Sequence, residues 1–240
     1  MRFATSSVRL SAEFDPFGDE VLAEIIQTVI AAWGRMRRFT QQEIARKWGS
    51  KKRKKKGPCP VQPIENWITH RLAGRIRNDE HFRSIPFDVV PQYPLVDMDG
   101  NELGRIDLYF KHRHSQTDYF AFEAKRLHVT YPGGTKSDEY ATYAGIEGME
   151  AYLLGQYSAG LPAAGMLGYV MDGRTADAES GLHAAILKKR AALNMSVDTP
   201  PFSSALLPAS THNTSPYGLF ETIHGLKDRL LRIFHLLLPY

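Results

Sequence analysis

The sequence predicts an α/β domain: a mixed sheet that begins as an antiparallel three-stranded meander, flanked by helices, with a helical extension at the N-terminus. Three observations carry that expectation. Apolar residues recur every three to four positions up to about residue 78, the period drops to two between 85 and 127, and a largely apolar strand at 163–171 is bracketed by further helical stretches. Helical and strand-like segments in this order describe a sheet covered by helices. The composition agrees, since 240 residues with 43% apolar and 11% aromatic side chains are those of an ordinary globular chain.

Taken in order, Val21, Leu22, Ile25, Ile26, Val29, Ile30 and Trp33 mark one face of a helix over 19–33. Thr40-Gln41-Gln42-Glu43 is a capping-box pattern that opens a second short helix through Trp48. That helix faintly resembles the first helix of a helix-turn-helix module, but a lysine run and prolines stand where the second helix would have to be. Residues 49–63 therefore read as a loop. Pro63 sits at a first-turn position, and Ile64, Trp67, Ile68, Leu72 and Ile76 carry a third helix to about Asn78. Strands follow over 85–96, 104–111 and 119–127, the first two joined at Asp99-Gly100, a hairpin signal. Pro132-Gly133-Gly134 interrupts the chain before a predicted helix over 139–158. The apolar strand at 163–171 ends at Asp172-Gly173, a helix spans 176–193, and 195–208 is a loop. The tail at 219–238 fits two patterns: Leu219, Ile223, Leu226, Leu230, Phe234 and Leu237 suit a helix, and Leu231, Ile233, His235 and Leu237 suit a strand. The expected division is a helical extension with a basic loop over 1–62 and the main domain over 63–240.

No apolar run approaches the ~20 residues of a membrane span, and the N-terminus has no secretory-type apolar stretch. Cys59 stands alone, so neither an internal disulfide nor a cysteine-based zinc site is available. A cytoplasmic location and no membrane partner are expected. Charge is localised. Residues 34–56 hold eleven Lys or Arg against one acid, Glu43, whereas the remainder carries nineteen bases against twenty-five acids. One electropositive segment on a mildly acidic body points to a polyanionic partner gripped at one place, and Lys51, Lys52, Arg53, Lys54, Lys55 and Lys56 are the candidate nonspecific phosphate contacts. A solvated basic loop is the alternative for this run.

The chemistry concentrates in Gly104-Arg-Ile-Asp-Leu-Tyr-Phe110 and Tyr119-Phe-Ala-Phe-Glu-Ala-Lys125. In the first strand Asp107 faces away from Ile106, Leu108 and Phe110; in the second, Glu123 and Lys125 face away from Phe120, Phe122 and Ala124. If the strands form a hairpin centred in 112–118, Asp107 and Glu123 are equidistant from Ser115 and become cross-strand neighbours. Like charges held that close repel unless a cation lies between them, and hard carboxylate oxygens suit Mg²⁺, with Mn²⁺ substituting. Lys125 would stand beside that cation, its pKa lowered, to position or deprotonate a water or to stabilise charge on a phosphate. The alternative is a salt-bridge ladder on the solvated face of a sheet.

A strand aspartate, a hairpin, Glu-Ala-Lys in the next strand and an α-β continuation resemble the restriction-endonuclease-like PD-(D/E)XK nuclease superfamily, over roughly 63–173. The resemblance implies a restriction-endonuclease-like core and makes Asp107 the first motif acid, Glu123 the second and Lys125 the motif lysine, with the Ala124 backbone carbonyl also lent to the metal. Ile106 stands where the motif has its proline. The family often adds an acid on the preceding helix, and Glu65, inside the apolar arc of the third helix, fits that place; first-turn acids are also favoured by the helix dipole alone. Gln156 and Tyr157, on the helix after the motif, stand where nuclease relatives contact substrate, with core packing or a helix end as the alternative. The implied function is a metal-dependent nuclease, most readily on DNA, of the kind found in restriction and mobile-element defence. RNA cleavage by the same centre and a non-catalytic nucleic-acid-binding subunit stay open. With no separate reading module in view, specificity is expected to be weak or supplied by a homodimer mate or partner subunit.

Overall fold

Every residue of the strand Ala163–Val170 is buried, so the sheet that contains it must be covered on both faces. The computed structural model describes residues 18–36, 64–96, 99–115, 117–131, 134–157, 160–196, 200–203 and 216–240. In chain order these form α1 (Asp19–Gly34), α2 (Ile64–Arg77), α3 (Glu80–Ser84), β1 (Phe87–Val96), β2 (Glu102–His112), β3 (Tyr119–Leu127), β4 (Val129–Thr130), β5 (Lys136–Ser137), α4 (Tyr140–Tyr143), α5 (Met149–Leu153), β6 (Ala163–Val170), α6 (Thr175–Lys188), β7 (Gly218–Gly225) and β8 (Leu230–Pro239). The class is α/β, with a mixed six-stranded sheet in the order β1-β2-β3-β6-β8-β7. The β1-β2-β3 meander and the β7-β8 pair are antiparallel, whereas β3-β6 and β6-β8 are parallel. Pro91 and Pro94 are tolerated in β1 because it is an edge strand.

The apolar stripes read from the sequence bury against opposite faces. On one face α1 and α2 contribute Ile25, Ile26, Val29, Ile68, Leu72 and Ile76 to a core with Phe110, Phe122 and Leu167. Trp33 locks α1 in place, stacked on Tyr169 at 5.3 Å between centroids and donating its Nε1–H to the Pro239 carbonyl at 2.9 Å. On the other face Tyr143, Tyr152, Leu182 and Ile186 from α4, α5 and α6 pack over Ala121, Met166 and Ile233.

The expected long helix over 139–158 is instead two short helices, α4 and α5. The break is at Gly145 and Gly148, where the chain folds so tightly that a Cβ would lie 2.6 Å from the Ala141 carbonyl oxygen and 2.0 Å from that of Tyr143. Helical periodicity on either side conceals such a fold-back. The ambiguous tail is an antiparallel hairpin closed at the Leu226 to Arg229 turn, with β8 almost wholly buried. Burial on both faces erases alternation, which is why both patterns fit it. The small antiparallel pair β4–β5, with Val129 opposite Ser137 and Thr130 opposite Lys136, has no counterpart in the sequence reading. The predicted helix over 40–48, the loop at 49–63 and its six basic residues lie outside the described residues. Among the described residues no helix is long and apolar enough to cross a membrane.

Gly165 of β6 pairs with Phe122 of β3, and a Cβ there would sit 2.2 Å from the Phe122 ring. Gly165→Ala should therefore destabilise by ~1–3 kcal/mol, read as a fall of ~2–4 °C in Tm per kcal/mol. An unchanged melting curve would mean that the ring has another seat.

Candidate active site

The meander forks. Pairing between β2 and β3 runs from Lys111↔Tyr119 to Leu108↔Phe122, and the next step puts Asp107 opposite Glu123, the register expected from the sequence. Beyond it β2 stays with β1 while β3 runs on beside β6 to Leu127. The β3 amides on the β2 side then have no ladder partner, and an unpaired buried N–H is costly. Two carboxylates take them: Asp107 Oδ2 accepts from the Ala124 N–H at 2.8 Å, and Glu65 Oε2 accepts from the Arg126 N–H at 3.0 Å. The Ala124 carbonyl points to the same side of its strand as its N–H, toward Asp107.

Each acid has a distinct environment. Asp107, 6% exposed, also accepts from Gln92 Nε2, whose Oε1 accepts from Asn66 Nδ2 at 3.0 Å. Gln92 lies between the pairs Pro91↔Leu108 and Tyr93↔Ile106, opposite Asp107, and holds a left-handed φ of 53°. Non-glycine residues rarely adopt that backbone without a compensating contact, and here the contact is the bridge from α2 to Asp107. Glu123, 5% exposed, accepts from Lys125 Nζ at 2.6 Å through Oε1, while its Oε2 is buried with no hydrogen-bond partner. The acids are thus interior groups and not a ladder on a solvated face: both faces of the sheet are covered, and beside them a cleft of about 140 Å³ is bounded by Glu65, Lys125, Arg126, Tyr131 and Glu139.

Burial is the leading cause of the shifts at Asp107, Glu123 and Glu65. It holds Asp107 above the ordinary carboxylate value against the pull of Lys125, and it raises Glu123 well above that value, with the charge of Asp107 adding to the effect. Glu65 is pushed up to about 7 by desolvation, partly opposed by Lys125. For Lys125 burial works against the ammonium, but Glu123, Glu65 and Asp107 outweigh it and raise its pKa. Without a dication, the protein's own carboxylates raise the Lys125 pKa, so its ammonium is charged and donates to Glu123.

Sequence reading missed Gln92 and Arg126 as neighbours of these acids. Only the pair of prolines around Gln92 signals an irregular strand. Tyr157, pushed up to about 12 first by burial and then by Glu123, follows α5 rather than lying on it, and its ring rests against Tyr152 and over Gly104. Gln156 is exposed in the same turn, not on a helix. Glu139, at a left-handed φ of 61°, is held by the Tyr131 hydroxyl at 2.7 Å and the Thr142 hydroxyl at 3.0 Å, and the Tyr131 bond keeps its carboxyl below the usual value. His235 and His224 form a buried chain with Tyr143, Thr222 and the Leu193 carbonyl, and desolvation lowers both.

Among the described residues no three His, Cys, Asp or Glu side chains gather as a ready metal cage. The oxygen set at the fork is two carboxylates, one main-chain carbonyl and, across the cleft, Glu65. No protein-family model, curated protein or solved structure matches this chain.

Because the folded pKa of Glu65 is near 7 against an ordinary 4.5, the fold binds that proton more tightly than the unfolded chain. The stability it contributes is complete below about pH 4.5 and is lost as pH rises through 7. In chelator, Glu65→Gln should melt with the wild type at pH 4.5 and above it at pH 8, by up to ~3 kcal/mol. A difference that does not change with pH would show that Glu65 titrates normally.

Proposed function

We propose that this protein is a metal-dependent nuclease that hydrolyses phosphodiester bonds, DNA being the favoured substrate, on a restriction-endonuclease-like core. The observation that supports the reading most is the buried Asp107 and Glu123 pair at the fork, with Glu123 Oε2 unpartnered and the Lys125 ammonium beside it. Two desolvated carboxylates that cannot both be neutralised by one lysine are stable as anions only with a further cation. All-oxygen donors fit Mg²⁺ or Mn²⁺. Asp107, Glu123 and the Ala124 carbonyl would hold it, with Glu65 at the cleft side. When bound, such an ion supplies Lewis acidity toward a phosphoryl oxygen and makes water more acidic.

The chain's own residues then have separable tasks. Gln92 and the Ala124 amide fix the Asp107 carboxylate, so the site is assembled before substrate arrives. Lys125 is charged and oriented by Glu123, and donates to the phosphate oxygens as negative charge grows on them. Glu65, at the cleft side and held by the Arg126 amide, accepts the proton from the attacking water. The water oxygen bonds to phosphorus, the ester P–O bond breaks, and the leaving oxygen takes the electron pair and is protonated from solvent. The order of the meander, helical crossover and parallel strand supports the same family reading.

Asp107→Ala should abolish Mn²⁺ binding by calorimetry and cleavage of single- and double-stranded DNA and RNA substrates alike. Lys125→Met leaves the acids more attractive to a cation, so Mn²⁺ binding should persist while single-turnover cleavage falls ~10²–10³-fold. Wild-type cleavage by Lys125→Met would remove Glu-Ala-Lys from the catalytic role.

A further inference from the structure

Three arginines converge at the end of α2 far from Glu65. Arg77 comes from the last turn of α2, Arg83 from α3 and Arg113 from the β2–β3 turn, around an open groove of about 340 Å³ floored by Phe82, Val89 and Val90. Asp88 is the single acid of the lining, and its side chain is 64% exposed.

The way these side chains are held distinguishes the groove from a solvated basic patch. Arg77 Nε donates to the Val89 carbonyl at 2.9 Å, and Arg83 donates through Nε to the Arg77 carbonyl at 3.1 Å and through Nη2 to Asn78 Oδ1 at 3.2 Å. Arg113 is held by Asp88 at 3.0 Å and by the Arg83 carbonyl at 3.5 Å. Only one of the three is thus ion-paired among the described residues. The others are fixed by neutral acceptors, which orient the guanidinium without cancelling its charge. Exposed arginines that are already ordered lose little freedom when their remaining donors grip an anion, and the forked guanidinium matches phosphate oxygens.

We propose that this groove binds backbone phosphates of the nucleic acid whose scissile bond lies at the fork, an inference that rests on the nuclease reading. Twelve helical residues separate Glu65 from Arg77, about 18 Å at 1.5 Å each. A duplex covers that span in about five base pairs at ~3.4 Å per pair. The groove therefore sets how far the duplex extends past the cut and holds it irrespective of sequence, since phosphate contacts position and do not read. It also adds cations to the Lys125 and Arg126 that, among the described residues, line the acidic cleft.

The test uses the full chain with Arg83→Gln and Arg113→Gln combined, leaving Arg77 to cap the Val89 carbonyl. Duplex binding is measured against salt, with Ca²⁺ replacing Mg²⁺. The slope of log K on log salt should flatten by ~1–2 units, at ~0.9 for each phosphate that is no longer gripped, equally for unrelated sequences, and the Arg83→Lys and Arg113→Lys pair should recover most of it. Inorganic phosphate should raise the Tm of the wild type and not of the glutamine pair. An unchanged slope in a wild type that binds and cleaves DNA would overturn the groove and spare the nuclease reading, assigning these arginines to capping carbonyls. If the wild type binds no duplex while phosphate still protects it, the groove is an anion site for another ligand and this proposal falls, whereas the nuclease reading falls only if single-stranded DNA and RNA are left uncleaved as well.

Discussion

A β-sheet cannot divide without stranding backbone donors, and in this protein everything about the candidate site depends on how those donors are satisfied. Where β3 leaves β2, the amides of Ala124 and Arg126 are taken up by Asp107 and Glu65. Ordinary ladder partners would have been neutral carbonyls. Carboxylates in their place put negative charge into the interior of the sheet, at a point where strands from one side and a helix from the other must be in register. The same two hydrogen bonds that let the sheet fork therefore create the electrostatic problem that a cation resolves.

That problem is visible in the surrounding groups. Burial raises all three acids, and Lys125 is drawn in to offset it, held by Glu123. Gln92 sits in a backbone conformation that is locally unfavourable and that the Asp107 contact offsets. Strain and uncompensated charge are thus gathered in one place, which is the pattern of a site whose geometry is held against local stability.

Electrostatics also separates two tasks across the surface. The fork is rich in buried carboxylates, whereas α2 ends near arginines held by polar oxygens. On the proposed nuclease reading, a polyanion would meet attraction at the far end of α2 and repulsion at the acids until they are neutralised. Binding and chemistry would then be set apart at the two ends of one helix, with a spacing fixed by its 1.5 Å rise.

Much of this was legible in the sequence because it is local. Periods of 3.6 and 2 identified α1, α2 and the three meander strands, and the symmetry of Asp107 and Glu123 about Ser115 gave their register, since a hairpin obeys its own arithmetic. Periodicity erred where burial or backbone contact overrides it: in the fold-back at Gly145 and Gly148, and in β8, whose two buried faces remove the alternation that identifies a strand. Only tertiary structure decided that the acids are interior, because burial depends on α1, α2 and α6 closing over both faces. It alone joined Gln92 and Arg126 to the site, and it alone brought Arg77, Arg83 and Arg113 together, since those residues lie on three elements and their hydrogen bonds run to main-chain carbonyls that no side-chain pattern records.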